Sequence, residues 1–463
     1  MRLVSAMHAL LVGASMLPVL GGAARAVQSE AVLFRDVSVV HVEEGRIEPH
    51  QDVLVSHGRI ARIAATGMEA PTGATIVDGK GRYLAPGLAE MHAHVPRPPQ
   101  EQYAYDVLLL YVAHGITTIR GMLGDPWHLQ LRERLQKHEV LGPRLYTAGP
   151  SLNGNSAPDP ERARALVREQ AKAGYDFLKL HPGLEREVFD AIAVAAREAG
   201  ISFQGHVSED VGLLHALEAR QRAIDHLDGY VQALADPDCL RTSPRGRLFG
   251  FGVAHCADMT RIPDLVRRTK EAGTWMVPTA ILLEQWMRPP SKQELLSRPA
   301  VRYLRPSTVE RWPEQLDRFV GGATVDEEHA RRYVDIVHAL IRELHAQGVP
   351  ILLGSDAPQV FNVPGDSALA ELDLYTRAGL TPAQALRTAT VNPARFFGDA
   401  DRFGTVREGL EADLILLGAD PLQDIRAVRN LHGVMVRGRW LSREEIDSRL
   451  EELAARVRGQ GGV

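Results

Sequence analysis

The chain has 463 residues, of which 45% are hydrophobic and 24% are charged, so it carries enough apolar material for one large or two moderate globular domains. Its 53 basic and 58 acidic residues are well mixed and leave a formal net charge of −5, so the sequence offers no electrostatic footprint for nucleic acid. We therefore expect a small-molecule or short-peptide partner, and a homo-oligomer stays open.

Residues 1–26 are predicted to be an export signal. Arg2 precedes an apolar stretch over residues 3–20, and the small residues Ala24 and Ala26 form a cleavage pattern, so we predict cleavage after Ala26. An uncleaved membrane anchor is the alternative, but polar residues and a proline interrupt a stretch close to the lower limit of about 17 residues for a span. The mature chain is then expected to be periplasmic or secreted, with no membrane attachment.

Two segments read as short strands. Residues 27–85 contain "AVLFRDVSVV", "DVLVSHGRIARI" and "ATIVDGKGRYL", in which apolar and polar positions alternate. The alternation returns in residues 399–440, with "GTVREGLEADLILLG" and "LHGVMVRGRWL". We predict that the two segments form one small β-sandwich domain, and that residues 441–463 form a charged amphipathic helix.

Between them, residues 86–398 alternate short apolar strands with helical stretches, a pattern typical of an α/β fold with a parallel sheet. Helices are predicted over residues 160–174 and 185–200, and each ends at a glycine. Eight strands close a barrel, so we predict a (β/α)₈ TIM-type barrel. The predicted strands are "LAEMHAH", "TTIRGM", "RLYTAG", "DFLKLH", "SFQGH", "RAIDHL", "WMVPTA" and "ILLGSD".

Two long stretches, residues 229–259 and 282–324, follow predicted strands on the face where such barrels keep their active sites. Each is either a lid or a solvated connection. The first contains Cys239 and Cys256, the only cysteines of the chain. A local disulfide and two unpaired thiols remain equal alternatives, because the sequence does not give their separation in space.

His92 and His94 lie at the end of the first predicted barrel strand. Residues i and i+2 of a strand point to the same side, so both rings can reach one metal ion. This pair alone is weak evidence in a chain with 18 histidines. The prediction becomes stronger because potential ligands end four other predicted strands and should face the same mouth. They are Lys179, His206, His226 and Asp356.

The motifs together resemble the metal-dependent amidohydrolase superfamily, and within it the exported imidazolonepropionase-like and prolidase-like members. The resemblance covers nearly the whole mature chain and rests on "PGLAEMHAH", "GYDFLKLHPGL", "GHV", "IDHLDGY", "VPTA", "GSDAP" and "GTVREGLEADLILL", in that order. It is specific for superfamily and fold, not for substrate. It implies one buried metal ion on His92, His94 and Asp356, a second on His206 and His226, and Lys179 bridging both ions as a carbamate.

Histidine and carboxylate ligands suit a divalent ion, and zinc is the expected one, at two ions per chain. If Lys179 is instead an ordinary lysine paired with a carboxylate, one ion on His92, His94, His206 and Asp356 remains workable. A metal-activated hydroxide would attack the substrate carbonyl, while Asp356 would take a proton from the nucleophile and pass it to the leaving nitrogen. This is the hydrolysis of a carbon–nitrogen bond.

Four further residues are weaker candidates. His181 is either a substrate contact or a loop histidine, and Arg120 either holds a substrate carboxylate or forms a structural ion pair. Tyr230 either lines the pocket or packs within the insertion. Glu90 stands where relatives usually carry aspartate, and its carboxylate is expected to support a ligand histidine or a neighbouring arginine. The remaining histidines on predicted helices are expected to pack or to face solvent, and they include His114, His329, His338 and His345.

The sequence therefore predicts an exported amidohydrolase that acts on an amide, peptide or cyclic amide bond. A dipeptide or an N-acyl amino acid is the leading substrate class, because the lysine at the end of strand 4 resembles the prolidase-like group. The alternatives are an imidazolone or lactam ring hydrolase, a deaminase with one metal ion, and an exported metal- or ligand-binding protein without turnover. The presence of Asp356, which passive binding does not need, argues against the last.

Overall fold

The computed structural model describes residues 31–242, 248–320 and 326–459. The predicted export signal and its cleavage position lie outside the described residues. In the part that is described, strands come first, strands and helices then alternate, and strands with one long helix follow.

The bounds of the strands and helices are as follows. The strands are β1 Ala31–His41, β2 Arg46–Ser56, β3 Arg59–Ala65, β4 Thr75–Asp78, β5 Tyr83–Pro86, β6 Leu88–Ala93, β7 Ile116–Gly121, β8 Arg144–Thr147, β9 Leu178–Leu180, β10 Phe203–Gly205, β11 Ala223–Asp225, β12 Trp275–Val277, β13 Leu414–Leu417, β14 Leu431–Val436 and β15 Arg439–Ser442. The α-helices are α1 Glu101–Ala113, α2 Pro126–Gln136, α3 Pro160–Ala173, α4 Arg186–Ala199, α5 Leu213–Glu218, α6 Tyr230–Leu234, α7 Pro237–Thr242, α8 Ile262–Ala272, α9 Ala280–Met287, α10 Lys292–Ser297, α11 Pro306–Val320, α12 Glu327–Ala346, α13 Asp366–Arg377, α14 Pro382–Ala389, α15 Val391–Phe397 and α16 Arg443–Gly459. Short 3₁₀ segments cover Leu248–Cys256, Met259–Arg261, Pro299–Tyr303 and Ile425–Arg429.

The first and last strands share one sheet. Its order is β15-β14-β13-β5-β1-β2-β3, with β4 paired to β1. The junction between the two ends of the chain is antiparallel, and Leu84 of β5 lies opposite Leu416 of β13. One face buries a small apolar core in which the Phe34 ring meets the Trp440 ring edge to face at 5.0 Å. The two segments predicted to consist of strands are therefore hydrogen-bonded neighbours.

The middle of the chain forms two parallel sheets, β6-β7-β8 and β9-β10-β11-β12. Single parallel bridges join Ala148 to Phe177, Met276 to Ile351 and Ala93 to Ala357. Helices alternate with these strands, as the sequence predicted, and α3 and α4 end at the predicted glycines. Seven of the eight predicted strands are thus strands in the structure.

The eighth predicted strand, residues 351–356, is not a regular strand. Its backbone alternates between partners, since Leu353 accepts from Met91 N–H at 2.7 Å while its own N–H donates to Thr388 at 2.9 Å. Asp356 then takes a left-handed conformation with φ +63°, which interrupts the extended backbone just before Ala357 bridges Ala93. The prediction was wrong about regularity here, because contacts outside the sheet compete for the backbone groups.

The two long stretches after β11 and β12 are locally helical where they are described. The first contains α6, α7 and two 3₁₀ segments, and the second contains most of α9 with α10 and α11. Cys239 and Cys256 form a disulfide within the first, so the first of the two alternatives for these cysteines holds. No helix among the described residues is long and apolar enough to cross a membrane.

Candidate metal centre

Side chains from the ends of several parallel strands converge on one buried region. The His92 ring centroid lies 5.4 Å from that of His94 and 4.6 Å from that of His226. The His206 ring lies 4.7 Å from that of His226. These rings come from the ends of β6, β10 and β11, and Asp356 joins them from the segment after Ile351. The structure therefore brings together the five His and Asp residues that the sequence analysis put forward as ligands.

The inner part of this region consists of His92, His94 and Asp356. The Asp356 Oδ1 atom lies 2.5 Å from His94 Nε2 and 3.3 Å from His92 Nε2, and one ligand atom of each residue lies within 4.8 Å of the others. Burial lowers the pKa of His92 to about 4, so its ring is neutral, the form that binds metal. Burial alone would raise the pKa of Asp356, but its interactions with the His92 and His94 rings, together with the nearby charge of Lys179, hold it below its ordinary value.

Asp225 occupies the middle of the region, and the sequence analysis missed it. Its carboxylate lies 3.0 Å from Lys179 Nζ, 2.8 Å from Arg120 Nη2 and 3.3 Å from His92 Nδ1. One ligand atom each from Asp225, His92 and His226 also lies within 4.8 Å of the others. The only sequence signal was its position directly before His226 in "IDHLDGY".

Lys179 is buried and is paired with Asp225, the arrangement expected for an ordinary lysine. Burial lowers the pKa of Lys179. Burial alone would raise the pKa of Asp225, yet the positive charges of Lys179 and Arg120 hold it well below its ordinary value.

The outer histidines are oriented by hydrogen bonds to Nδ1. Asp228 Oδ2 lies 3.1 Å from His206 Nδ1, and Thr279 Oγ1 lies 2.7 Å from His226 Nδ1. Such contacts fix the ring and leave Nε2 as the ligand atom. Thr279 is itself held at the start of α9, where the buried Glu371 carboxylate accepts from the N–H groups of Ala280 at 2.8 Å and Ile281 at 2.6 Å.

Glu90 supports the backbone of the centre. Its carboxylate accepts hydrogen bonds from the His92 N–H at 2.9 Å, the Ser355 N–H at 2.8 Å and the Ser355 hydroxyl at 2.6 Å. Burial raises the pKa of Glu90 to about 7. The expected support for a ligand histidine is therefore made through backbone rather than through the ring, and it fastens β6 to the segment that carries Asp356.

Arg120 and Tyr230 do not lie where a substrate could reach them. The Arg120 guanidinium is 0% exposed and donates to Asp225, to Gln204 at 3.0 Å and to the Met91 carbonyl at 2.5 Å. The Tyr230 hydroxyl is buried against Thr269 at 2.6 Å. Each side chain turns towards the interior instead of the mouth, which argues against the substrate-binding alternative for both residues. The structural alternative, an ion pair for Arg120 and packing for Tyr230, is the observed one.

His181 lies beside the centre, with its ring stacked on that of His206 at 4.9 Å. Its Nδ1 atom is buried and has no hydrogen-bond partner among the described residues. Burial lowers the pKa of His181, so this ring is neutral. The four histidines that the sequence analysis expected to pack or to face solvent lie in or next to helices. His114 follows α1, and His329, His338 and His345 lie in α12.

Phe249 covers the outer histidines, and nothing in the sequence pointed to it. Its ring centroid lies 4.9 Å from that of His226 and 6.1 Å from that of His206. Beside this region is a cavity of about 540 Å³, whose lining includes Val207 and Asp228. None of the candidate ligands lines this cavity, and Asp228 meets the Nδ1 side of His206, away from its Nε2 atom.

The donor set fits a divalent metal ion. Neutral imidazoles and a carboxylate are the ligands that zinc and similar ions prefer, and two overlapping groups of three lie within 4.8 Å. His226 and Asp356 also have left-handed backbones, with φ +61° and +63°, and such outliers in non-glycine residues cluster at functional sites. Fold and site together define a class, the metal-dependent hydrolases built on parallel α/β sheets.

Comparison with known proteins identifies the family. Residues 83–441 match the model of the amidohydrolase family. Imidazolonepropionase from Geobacillus thermodenitrificans (strain NG80-2) is 23% identical over 404 residues, which span 82% of this chain and 84% of the relative. A solved structure of bottromycin amidohydrolase superposes with a TM-score of 0.70 at 25% identity, covering 93% of this chain and 92% of that one. A Xaa-Pro dipeptidase structure superposes with a TM-score of 0.65 at 19% identity, covering 89% and 100%.

The chain therefore belongs to the amidohydrolase family, and it is a hydrolase that acts on carbon–nitrogen bonds. The predicted resemblance is confirmed, including its imidazolonepropionase-like and prolidase-like neighbours. Members of this family generally use a divalent metal, in keeping with the His and Asp groups described above.

Proposed function

We propose that this protein hydrolyses the amide bond of a dipeptide or an N-acyl amino acid with the help of two divalent ions, expected to be zinc. The observation that carries the proposal is the convergence of His92, His94 and Asp356 with the outer pair His206 and His226.

His92, His94 and Asp356 would hold the inner ion, and His206 and His226 the outer one. Bound there, the ions would lower the pKa of water towards about 7 and polarise the substrate carbonyl. Asp356 would accept a proton from the attacking water and donate it to the leaving nitrogen. His181 would contact the substrate, and the unpartnered buried Nδ1 atom of this residue supports that role.

We further propose that Lys179 carries a carbamate that bridges both ions. Its position at the end of β9, buried beside His92 and Asp225, supports the role. The modification would replace the cation by an anion, and Arg120 would then be left to neutralise Asp225. If Lys179 keeps its amine, the centre would hold a single ion.

At the level of the fold, we propose one closed (β/α)₈ barrel over residues 86–398. The three parallel bridges between the two sheets and residues 351–357 support closure, because each joins neighbours that a barrel would place side by side. Residues 27–85 and 399–440 would form a β-sandwich domain, with residues 441–463 as the terminal helix. The antiparallel pairing of β5 with β13 supports this grouping.

We propose that the protein works in the periplasm or is secreted, after loss of residues 1–26. The disulfide between Cys239 and Cys256 supports this location, because disulfides persist in oxidising compartments. A small molecule or short peptide is the expected partner, and the sequence offers no basic surface for nucleic acid.

A cyclic amide is the second candidate substrate. The imidazolonepropionase relative spans 82% of this chain, and its name implies a ring substrate for that protein. Opening of an imidazolone or lactam ring would use the same Asp356 proton transfer. A deaminase with one ion and a binding protein without turnover are the remaining alternatives.

The experiment is a hydrolysis screen on purified protein that has been stripped of metal and reloaded with zinc. Dipeptides, N-acyl amino acids and lactams are the panel, and Asp356→Asn is the matched inactive control. We expect zinc-dependent release of an amine from the first two classes and a loss of at least about 100-fold in kcat for the variant. Ring opening without dipeptide cleavage would select the second candidate, and no turnover on the panel would contradict the proposal.

A further inference from the structure

The insertion after β11 is fastened to the rest of the molecule at several points. The Cys239–Cys256 disulfide joins two positions 17 residues apart. From α12, the Arg332 guanidinium donates to the carbonyls of Ala254 at 2.9 Å and Ala257 at 2.7 Å. The described part of this insertion is therefore a fixed element.

The backbone of the insertion is shaped to present Phe249. This residue has φ +52°, a left-handed conformation that is uncommon for a non-glycine residue. Gly250 follows with φ +74°, and a Cβ atom there would lie 2.5 Å from the Val231 Cβ atom. The Tyr333 hydroxyl donates to the Phe249 carbonyl at 3.0 Å. A glycine is thus required beside Phe249, and the turn holds the ring in one place.

The Phe249 ring lies against the outer histidines and is 4% exposed. It is nearly parallel to the His206 ring, at 20° and 6.1 Å, and it lies 4.9 Å from the His226 ring. Phe251 at 5.7 Å and Trp286 at 6.0 Å back it from the other side. Neither of those two rings has a recorded ring contact with a candidate ligand among the described residues. Phe249 is the point at which the insertion touches the centre.

We propose that Phe249 is a positioning residue for the outer metal ion. Its ring packs on His206 and His226 and holds their planes, while Asp228 and Thr279 hold their Nδ1 atoms. The ring also keeps water away from one side of the two imidazoles, which strengthens the electrostatic interactions inside the site. The Cys239–Cys256 disulfide constrains the segment that carries this ring. This inference rests on the proposed two-ion centre.

The role predicts that Phe249 acts on one ion only. The inner group His92, His94 and Asp356 has no ring contact with Phe249 among the described residues, so its affinity should not depend on this side chain. Groups that orient metal-binding histidines typically change metal affinity by 10–100-fold when they are removed. The outer ion should therefore be weakened selectively.

The test is a titration of metal-free protein with Co²⁺, followed by its visible absorption and by competition with a chelator. We expect Phe249→Ala to bind the first Co²⁺ within about twofold of wild type and the second about 10–100-fold more weakly, with an altered absorption band. Phe249→Leu keeps the apolar bulk without the flat ring and should fall between the two. The matched control is Phe251→Leu, which alters the same cluster without touching a candidate ligand and should bind both ions like wild type.

Other outcomes separate this inference from the proposed function. Equal affinity for the second ion in wild type, Phe249→Ala and Phe249→Leu would overturn the positioning role, as would an equal weakening of both ions. Binding of a single Co²⁺ by wild-type protein would overturn the two-ion centre and the role together. Two tightly bound ions with no amide turnover would contradict the proposed reaction alone, while the selective effect of Phe249 would still support its role.

Discussion

Asp225 sets the charge balance of the candidate centre, since three basic side chains lie within 3.3 Å of its two oxygens. With Lys179 as an amine, Lys179 and Arg120 both pair with Asp225, and the Asp356 carboxylate also acts on Lys179. With Lys179 as a carbamate, Arg120 and Asp225 neutralise each other and the new anion is free for metal. The two states of Lys179 therefore differ in net charge, and substitution can tell them apart.

Lys179→Ala is expected to lose most of the activity, because it removes the bridging anion and leaves the outer ion with fewer ligands. If the carbamate is required, millimolar formate, acetate or propionate should restore a measurable part of kcat by entering the vacated space. Lys179→Arg is the matched control, since its side chain fills the space and cannot be carbamylated in the same way, so no acid should rescue it. Unchanged activity in Lys179→Ala would contradict the role.

Glu371 gives a prediction about stability and pH. Burial raises the pKa of Glu371 to about 8, compared with an ordinary value of 4.5. Between these values the folded protein keeps a proton that the unfolded chain has released, so the folded state loses stability as the pH rises. In Glu371→Gln this contribution is absent. As the pH rises, we therefore expect the unfolding free energy of the variant to fall less steeply than that of wild type, and the two slopes should differ by about 1 kcal/mol per pH unit.

Urea denaturation at several values between pH 5.5 and 7.5 measures this difference. The matched control is Glu294→Gln, because Glu294 is exposed and its pKa is lowered by hydrogen bonds from Ser291, so it is already ionised throughout this range. Parallel pH profiles for wild type and Glu371→Gln would contradict the assignment.

At this scale the sequence predicted the histidines and Asp356 at strand ends and missed residues whose role lies in contacts between strands, including Asp225 at the end of β11. His92, His94, His206, His226 and Asp356 could be found because parallel strands deliver their carboxyl ends to one face. Asp225 and Thr279 could not, because their importance comes from contacts with residues that are distant in sequence. The direction of the long Arg120 side chain could not be predicted for the same reason, because the spacing of residues does not show that it turns inward.

Among the elements, the regular strands and helices followed the periodicity of the sequence, and the irregular segments did not. The glycine stops after α3 and α4 lie where they were predicted, with φ +84° and +67°. Residues 351–356 looked like a strand because they are apolar, but their partners alternate between the sheet and Thr388. The insertions could be located by length alone, and their contacts with the centre could not.

The disulfide is the element-level feature with the clearest energetic effect. It closes a loop of 17 residues, and cross-links of that size typically stabilise a protein by about 3 kcal/mol. The double variant Cys239→Ser with Cys256→Ser should therefore lose roughly 2–4 kcal/mol in the unfolding free energy, measured by denaturation.

Wild-type protein unfolded in the presence of a reducing dithiol is the internal comparison, and it should show the same loss. A variant as stable as the oxidised wild type would mean that the insertion is held by its contacts with α12 alone.

For the molecule as a whole, the first and last described strands share one sheet, and the middle of the chain lies between them in sequence. Arg144 of β8 reaches Glu411 at 2.8 Å and Asp413 at 2.5 Å, so the parallel sheet is tied to the segment that leads back to the first sheet. The class of fold was predictable because strand and helix periods change at residue 86 and again near residue 404. That the two strand segments join was predicted from the return of alternating apolar and polar positions, while the register of their pairing depends on side-chain packing that the sequence does not display.

The central claim is that this chain holds a two-ion centre. Elemental analysis of the purified protein, after removal of loosely bound ions, tests it most directly, and His226→Ala serves as the variant lacking one outer ligand. We predict close to two divalent ions per wild-type chain, mainly zinc, and close to one in the variant. A wild-type protein that retains no divalent ion would contradict the account.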